Sequence, residues 1–121
     1  MTRVLIVDDS PTEVHYLRSA LERNGFETEA AATGQEGLQK AKQYKPDLIL
    51  MDVIMPGLNG FQATRELGRD PVTARIPVIM VTTKSEETDR IWGLRQGAVD
   101  YVVKPVSEQD LVDKARAALA R

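Results

Sequence analysis

The chain has 121 residues, no cysteine and a formal net charge of −2. Its length fits one domain with its own hydrophobic core, and the missing cysteine excludes disulfides, a thiolate nucleophile and cysteine-bound metal sites. The charge balance offers no basic face for nucleic acid or anionic membranes. No apolar run approaches the roughly 18 residues that a membrane span needs, so we expect a cytoplasmic protein without membrane insertion.

In the first half of the chain, apolar runs alternate with helical patterns. Residues 4–7 form a buried strand, and a helix with Ser10 as its cap follows them. Residues 26–31 form a second, more polar strand, which we expect at an edge of the sheet. Thr33 begins another capping box, so a second helix follows and runs to about residue 44.

Three more strand–helix units follow in the second half. The third strand, residues 47–51, precedes a Pro-Gly turn and a helix, and the fourth strand, residues 77–81, precedes a helix capped by Ser85. The fifth strand, residues 101–103, precedes a last helix that begins at Ser107. The apolar runs are continuous, which is typical of strands buried on both faces of a parallel sheet.

Five strand–helix units in series predict an α/β fold. Right-handed crossovers place the helices on both faces of a parallel sheet, which gives a doubly wound arrangement. With the strand order 2-1-3-4-5, this is the flavodoxin-like (βα)5 fold. We expect residues 1–121 to form one domain and to leave no residues for an output domain.

Chemically capable side chains follow four of the predicted strands. Asp8 and Asp9 follow the first strand, Asp52 the third, Thr82 the fourth and Lys104 the fifth. In an open parallel sheet, ligands bind outside the carboxyl ends of the strands, where the strand order reverses. We therefore expect these five side chains to converge on one site.

Three carboxylates in one place repel one another unless cations offset their charge. Lys104 supplies one positive charge, and a set of oxygen ligands favours Mg²⁺ over softer metals. One carboxylate can then attack phosphorus and form an aspartyl phosphate. The Thr82 hydroxyl can donate a hydrogen bond to a phosphate oxygen. The pattern thus indicates phosphoryl transfer to a carboxylate.

Four segments, taken together and in order, resemble the receiver domain of bacterial response regulators. They are Val-Asp-Asp-Ser at 7–10, the run from Met51 to Gly60, Val-Thr at 81–82 and Tyr-Val-Val-Lys-Pro at 101–105. Each segment alone is common in proteins, whereas the four at strand ends are specific. The resemblance covers essentially the whole chain and implies a signalling domain that is not a conventional enzyme.

The resemblance implies a role for each residue of the phosphorylation site. Asp52 is the expected phosphoacceptor, and Asp8 and Asp9 are the expected Mg²⁺ carboxylates. Asp52 itself and the main-chain carbonyl of Ile54 complete the expected metal ligands. Lys104 is expected to contact the phosphate and so to take part in the transfer.

The resemblance also implies a conformational switch. Thr82 is the expected switch hydroxyl and a further catalytic group, and Tyr101 is the aromatic residue that swings inward when Thr82 moves. The Lys104–Pro105 peptide bond is expected to be cis. Ile54 and Lys84 stand where polar and acidic residues are frequent in chemotaxis regulators, which leaves the rate of phosphate hydrolysis open.

Several further segments resemble a narrower group, the stand-alone regulators of type IV pilus twitching motility of the PilH kind. They are residues 60–65, 81–84, 87–89, 92–93 and 95–98. This resemblance implies a chemotaxis-like (CheA-like) histidine kinase as the phosphodonor and a downstream protein as the target. We expect a monomer with no nucleic-acid partner.

Three alternatives remain. A phosphatase of the haloacid-dehalogenase type also forms an aspartyl phosphate, but it needs a second Asp two positions after its nucleophile. With Asp8 as the nucleophile, that position is Ser10. The chain could instead be an adaptor that binds partners without phosphorylation, or a phosphate sink for a shared kinase. Turn chemistry would explain each acid alone, but not three acids and a lysine at one end of a sheet.

Two residues outside this site have less specific interpretations. Trp92 follows Ile91 in the fourth helix, so both cannot face the core fully. Trp92 is either an anchor for a partner or a partly buried packing residue. His15 in the first helix is expected on the surface without a role.

Overall fold

The computed structural model describes residues 1–121 and contains one five-stranded sheet. The strands are β1 (Arg3–Val7), β2 (Glu27–Ala31), β3 (Leu48–Met51), β4 (Val78–Thr82) and β5 (Asp100–Val103). The helices between and after them are α1 (Pro11–Arg23), α2 (Gly34–Tyr44), α3 (Gly60–Arg69), α4 (Glu87–Arg95) and α5 (Glu108–Leu119). All strand pairs are parallel, in the order β2-β1-β3-β4-β5. The predicted flavodoxin-like doubly wound fold is confirmed.

Three helices begin at the predicted capping residues. The side-chain oxygens of Ser10, Thr33 and Ser107 each accept a hydrogen bond from the backbone N–H three residues later, at 3.1–3.3 Å. Each contact satisfies a donor that the first turn of a helix leaves without an intrahelical partner. The local sequence therefore determines where α1, α2 and α5 start.

The prediction of Ser85 as the cap of α4 is wrong, because the helix begins one residue later. Glu86 is the N-cap residue, and its backbone N–H donates to the Asp89 carboxylate at 3.3 Å. An acidic side chain three residues into a helix can satisfy the backbone of the cap in this way. The Asp89 contact thus selects Glu86 over its hydroxyl-bearing neighbour.

Side chains alternate across the sheet and separate into two hydrophobic cores. In β1, Val4 and Ile6 pack in the core that contains α1 and α5, whereas Leu5 and Val7 pack in the core that contains α2 and α3. The same alternation holds in β3 and β4. Both faces of the central strands are therefore buried, as their continuous apolar runs predicted.

The second strand lies at an edge of the sheet, as its polar composition predicted, and pairs only with β1. It begins one residue later than expected. The Phe26 N–H donates to the Leu21 carbonyl at 3.1 Å and so belongs to the end of α1, which leaves Glu27 as the first paired residue. Charged side chains on an edge strand hinder its pairing with another chain.

Candidate functional site

The register of the central strands places Asp8 beside Asp52. Strands β1 and β3 pair up to Val7 and Met51, and the two aspartates follow directly. The Asp52 N–H still donates to the Val7 carbonyl at 2.9 Å, so the ladder continues into the site. Because these strands are parallel, both acids leave the same edge of the sheet, at the point where the strand order reverses.

Three carboxylates converge at this edge. Oxygen atoms from Asp8, Asp9 and Asp52 all lie within 4.8 Å of one another. Asp8 and Asp52 are only 3% and 8% exposed, whereas Asp9 lies on the surface. The Ser10 N–H donates to Asp8 Oδ1 at 2.9 Å and orients that carboxylate. The cluster is thus buried on the sheet side and open on the Asp9 side.

Lys104 reaches the acidic cluster from the end of β5. Its Nζ lies 2.7 Å from Asp8 Oδ2, 3.7 Å from Asp52 Oδ2 and 3.8 Å from Glu13 Oε2. Burial by itself lowers the pKa of Lys104, but the Asp8 hydrogen bond and the charges of Asp52, Asp8 and Glu13 outweigh it, so the pKa is raised. The amine therefore stays protonated. The Lys104–Pro105 peptide bond is cis, as the resemblance implied.

The Asp52 carboxylate is poorly stabilised in its charged form. Burial is the main cause of its raised pKa, and the nearby charge of Asp8 raises the pKa further. The charge of Lys104, the Thr82 hydroxyl and the Val53 N–H lower the pKa without restoring it. That N–H donates to Asp52 Oδ1 at 2.8 Å. A cation should therefore bind favourably in this pocket, next to the Asp52 carboxylate.

The start of α3 packs directly against the backbone of Asp52. A Cβ atom on Gly60 would lie 2.0 Å from the Asp52 carbonyl oxygen and 2.8 Å from Val53 Cα. The Gly60 N–H donates to the Val53 carbonyl at 2.9 Å. Only glycine permits this approach. The turn after β3 is thereby held against the strand end that carries Asp52.

A second chain of contacts leads away from the carboxylates. Thr82 is fully buried, and its hydroxyl oxygen accepts a hydrogen bond from the Lys84 N–H at 3.3 Å. The Tyr101 hydroxyl donates to the Lys84 carbonyl at 2.8 Å. The Lys84 amine lies 3.5 Å from an Asp89 carboxylate oxygen. Tyr101 is buried, with 6% of its surface exposed.

Three further residues named from the sequence are exposed. The Ile54 side chain is exposed, two residues after Asp52. Trp92 is 48% exposed on α4, so it is half-buried at most, and His15 is exposed on α1 as expected.

Two residues of the site were missed by sequence reasoning. One is Glu13, which lies in the first turn of α1; a helix start directly after a strand end places its first turn near the site. The other is Gly60, and a glycine at the first position of a helix, where no turn requires it, was the available signal.

Comparison with known proteins assigns the family. Residues 4–116 match the response regulator receiver domain. The chain belongs to this family. Receiver domains are the signalling domains of two-component systems, and they bind Mg²⁺ at an acidic pocket. None of the five helices combines the length and the apolar composition of a membrane-spanning segment.

Three proteins illustrate where this receiver domain stands in the family. It is 56% identical over 120 residues to the protein PilH of Pseudomonas aeruginosa, covering 99% of both chains. The chemotaxis protein CheY4 of Vibrio cholerae has a TM-score of 0.92 and 31% identity, with 98% of both chains covered. The receiver domain of the sensor histidine kinase PA1611 of P. aeruginosa has a TM-score of 0.92 and 28% identity, with 99% and 98% covered.

That last structure has a magnesium ion coordinated in its active site cleft. Other relatives are larger, and the receiver domain described here spans about half the length of the DNA-binding regulators that it matches.

The acidic pocket of this receiver domain fits a hard divalent cation. It offers three carboxylates and no sulfur or imidazole ligand, which is the donor chemistry that Mg²⁺ prefers. The raised pKa of Asp52 adds an electrostatic reason, because a cation would relieve the charge repulsion that burial intensifies.

Proposed function

We propose that this receiver domain is a phosphorylation switch in which Asp52 accepts a phosphoryl group from a histidine kinase. The supporting observation is the position of Asp52, a buried carboxylate at a strand end with Asp8, Asp9 and Lys104 around it. A carboxylate placed only for folding would not need two further acids beside it. The raised pKa adds support, since the pocket destabilises the free carboxylate.

In the proposed transfer, an Asp52 oxygen attacks phosphorus and forms the new O–P bond. The P–N bond of the donor phosphohistidine breaks, and its electron pair stays on the ring nitrogen, which takes a proton from solvent. Lys104 is held near Asp52 by Asp8 and stays protonated, so its charge stabilises the phosphoryl oxygens. The buried Thr82 hydroxyl donates to one of those oxygens.

We assign the carboxylates of Asp8, Asp9 and Asp52, together with the Ile54 main-chain carbonyl, as the residues that hold Mg²⁺. When bound, Mg²⁺ supplies positive charge that offsets the charge of the transferred phosphoryl group. Asp9 is exposed and lies at the open side of the pocket, where the ion and the donor can enter.

The signal reaches the surface through the loop between Thr82 at the end of β4 and Glu87 at the start of α4. An aspartyl phosphate carries more negative charge and more acceptor oxygens than the carboxylate, so it draws the Thr82 hydroxyl and Lys104 toward itself. A shift of Thr82 acts on Lys84 and Tyr101 through their hydrogen bonds. A downstream protein that binds one arrangement better than the other then responds to phosphorylation.

The 56% identity to PilH supports a role in the chemotaxis-like control of type IV pili and twitching motility. In that role a CheA-like histidine kinase is the phosphodonor and a downstream protein is the target. The chain acts through protein–protein contact, with its own acidic pocket assisting both phosphorylation and dephosphorylation.

Phosphoryl uptake tests the proposed function directly. The protein is incubated with acetyl phosphate and Mg²⁺, and intact-protein mass spectrometry should detect one added phosphoryl group. Asp52→Asn should take up none. Asp47→Asn is the matched control, because Asp47 precedes the same strand at its opposite end and accepts a hydrogen bond from the Arg3 N–H. This control should be phosphorylated like the wild type.

Two outcomes would contradict the proposal. Equal uptake by Asp52→Asn would place the phosphoacceptor elsewhere, and no uptake by the wild type from either acetyl phosphate or a phosphorylated histidine kinase would favour a phosphorylation-independent adaptor. A phosphate sink would instead accept the group and leave partner affinity unchanged in a pull-down with and without phosphorylation.

A further inference from the structure

Helix α4 touches the rest of the molecule with very little of its surface. Of its nine residues, only Gly93 is buried, and the large apolar side chains of Ile91, Trp92 and Leu94 are exposed. Glycine is the poorest helix former after proline. A glycine at the one buried position of a helix therefore needs a packing reason.

The aromatic ring of Tyr101 supplies that reason. A Cβ atom on Gly93 would lie 3.0 Å from Cδ2 and 3.2 Å from Cε2 of Tyr101, and 3.3 Å from Cγ of Met80. These distances are shorter than ordinary van der Waals contact, which is about 3.5–4.0 Å between carbon atoms. The Tyr101 ring thus occupies the space that a side chain at position 93 would take.

The hydroxyl of Tyr101 forms a hydrogen bond with the loop that leads back to the proposed phosphorylation site. The Tyr101 hydroxyl donates to the Lys84 carbonyl, and the Lys84 N–H donates to the Thr82 hydroxyl. The Lys84 amine also pairs with Asp89 in the first turn of α4. The Cδ2–Cε2 edge of the ring therefore lies against α4, while its hydroxyl contacts the loop that follows Thr82.

We propose that Gly93 is a positioning residue of the switch, because its missing side chain admits the Tyr101 ring to the inward position and so couples Thr82 to α4. The coupling to phosphorylation rests on the proposed function. The placement of the ring is a property of the unmodified chain and is tested separately from phosphorylation.

The placement is tested by ¹⁹F NMR of protein labelled with 3-fluorotyrosine. Tyr101→Phe identifies the Tyr101 resonance among those of the three tyrosines. Gly93→Leu should move this resonance to the position found in the urea-unfolded chain and give it a full H₂O/D₂O solvent shift. Gly93→Ala should move it by a smaller amount, since the neighbouring ring needs to shift by only a few tenths of an ångström.

Gly68 in α3 provides the matched control, because an added Cβ there meets nothing within 4 Å. Gly68→Leu and Gly68→Ala should leave the Tyr101 resonance in place. An unmoved Tyr101 resonance in Gly93→Leu would overturn the proposal. If circular dichroism shows that Gly93→Leu does not fold, Gly93→Ala is the deciding variant. A change of its Tyr101 resonance no larger than that in Gly68→Ala would count against the proposal.

The coupling is tested by Trp92 fluorescence, since Trp92 is the only tryptophan and adjoins Gly93. Acetyl phosphate with Mg²⁺ should change the emission of the wild type and of Gly68→Leu. Gly93→Leu should take up the phosphoryl group by mass but lose most of the emission change. An emission change of wild-type size in phosphorylated Gly93→Leu, or none in phosphorylated wild type, would overturn the coupling. Lack of phosphoryl uptake by the wild type would instead count against the proposed function.

Discussion

At the scale of single residues, the acidic pocket contains carboxylate charges that lower the stability of the fold. Asp52 is 8% exposed and lies beside Asp8, and the single amine of Lys104 forms ion pairs with both carboxylates. A carboxyl group whose pKa is raised in the folded protein binds a proton more readily there than in the unfolded chain. Its ionised form therefore destabilises the fold at neutral pH.

Neutralising Asp52 should consequently stabilise the metal-free protein. Asp52→Asn keeps an oxygen that can accept from the Val53 N–H and removes the buried charge. The substitution removes the charge that burial and Asp8 disfavour, so we expect the melting temperature to rise by a few degrees. Thermal unfolding in EDTA at pH 7 measures it.

The exposed neighbour is the control for this prediction. Asp9→Asn removes a charge that water already solvates, so its melting temperature in EDTA should change by less than that of Asp52→Asn. A lower melting temperature for Asp52→Asn than for the wild type would show that the charge of Lys104 fully compensates Asp52.

At the scale of secondary-structure elements, the site depends on how closely α3 approaches the end of β3. The contact is between backbones, since a Cβ atom on Gly60 would meet the Asp52 carbonyl group and Val53 Cα. Backbone atoms at a strand end cannot rotate away as a flexible side chain can. The position of Asp52 is therefore coupled to the identity of the first residue of α3.

Gly60→Ala should destabilise the protein by about 3 kcal/mol or more, because overpacking of this kind usually costs 1–3 kcal/mol and here no flexible group can yield. Gly68→Ala in the same helix meets nothing within 4 Å. It should instead raise stability by about 0.5–1 kcal/mol through its better helix propensity. Urea unfolding followed by circular dichroism measures both changes. Similar midpoints for the two variants would refute the packing argument.

At the scale of the whole molecule, two cores on opposite faces of the sheet hold the strand ends in fixed relation. The core that contains α1 and α5 and the core that contains α2 and α3 both include side chains from β1, β3 and β4. The carboxylates are thus brought together by folding and are separated in the unfolded chain. A cation that needs all of them binds only the native state.

Mg²⁺ should therefore raise the melting temperature of the wild type by mass action. At a concentration ten times the dissociation constant, the stabilisation is about 1.4 kcal/mol. Asp9→Asn should lose this dependence, since it removes one of the three carboxylates that could hold the ion. Differential scanning calorimetry with MgCl₂, EDTA and NaCl at matched ionic strength measures the effect. Equal melting temperatures in all three solutions would contradict the metal site.

The sequence alone predicted the strand–helix order, the sheet topology and the residues at the strand ends. These features are local or nearly so, because a continuous apolar run, a capping hydroxyl or an acid after a strand is visible in a few neighbouring residues. Right-handed crossovers and a polar edge strand restrict the possible strand orders, and the resemblance to receiver domains indicates the order 2-1-3-4-5. The convergence of Asp8, Asp52 and Lys104 follows from that order.

Only the tertiary structure determined the distances between Asp8, Asp52 and Lys104 and the further residues that contact them. The contact of Lys104 with Glu13, the exclusion of a side chain at Gly60 and the packing of Tyr101 on Gly93 all join residues that are distant in sequence. Even the start of α4 depended on which acidic side chain, that of Asp89, reaches back to the cap. Packing distances of this kind arise from the whole fold, and no short stretch of sequence contains them.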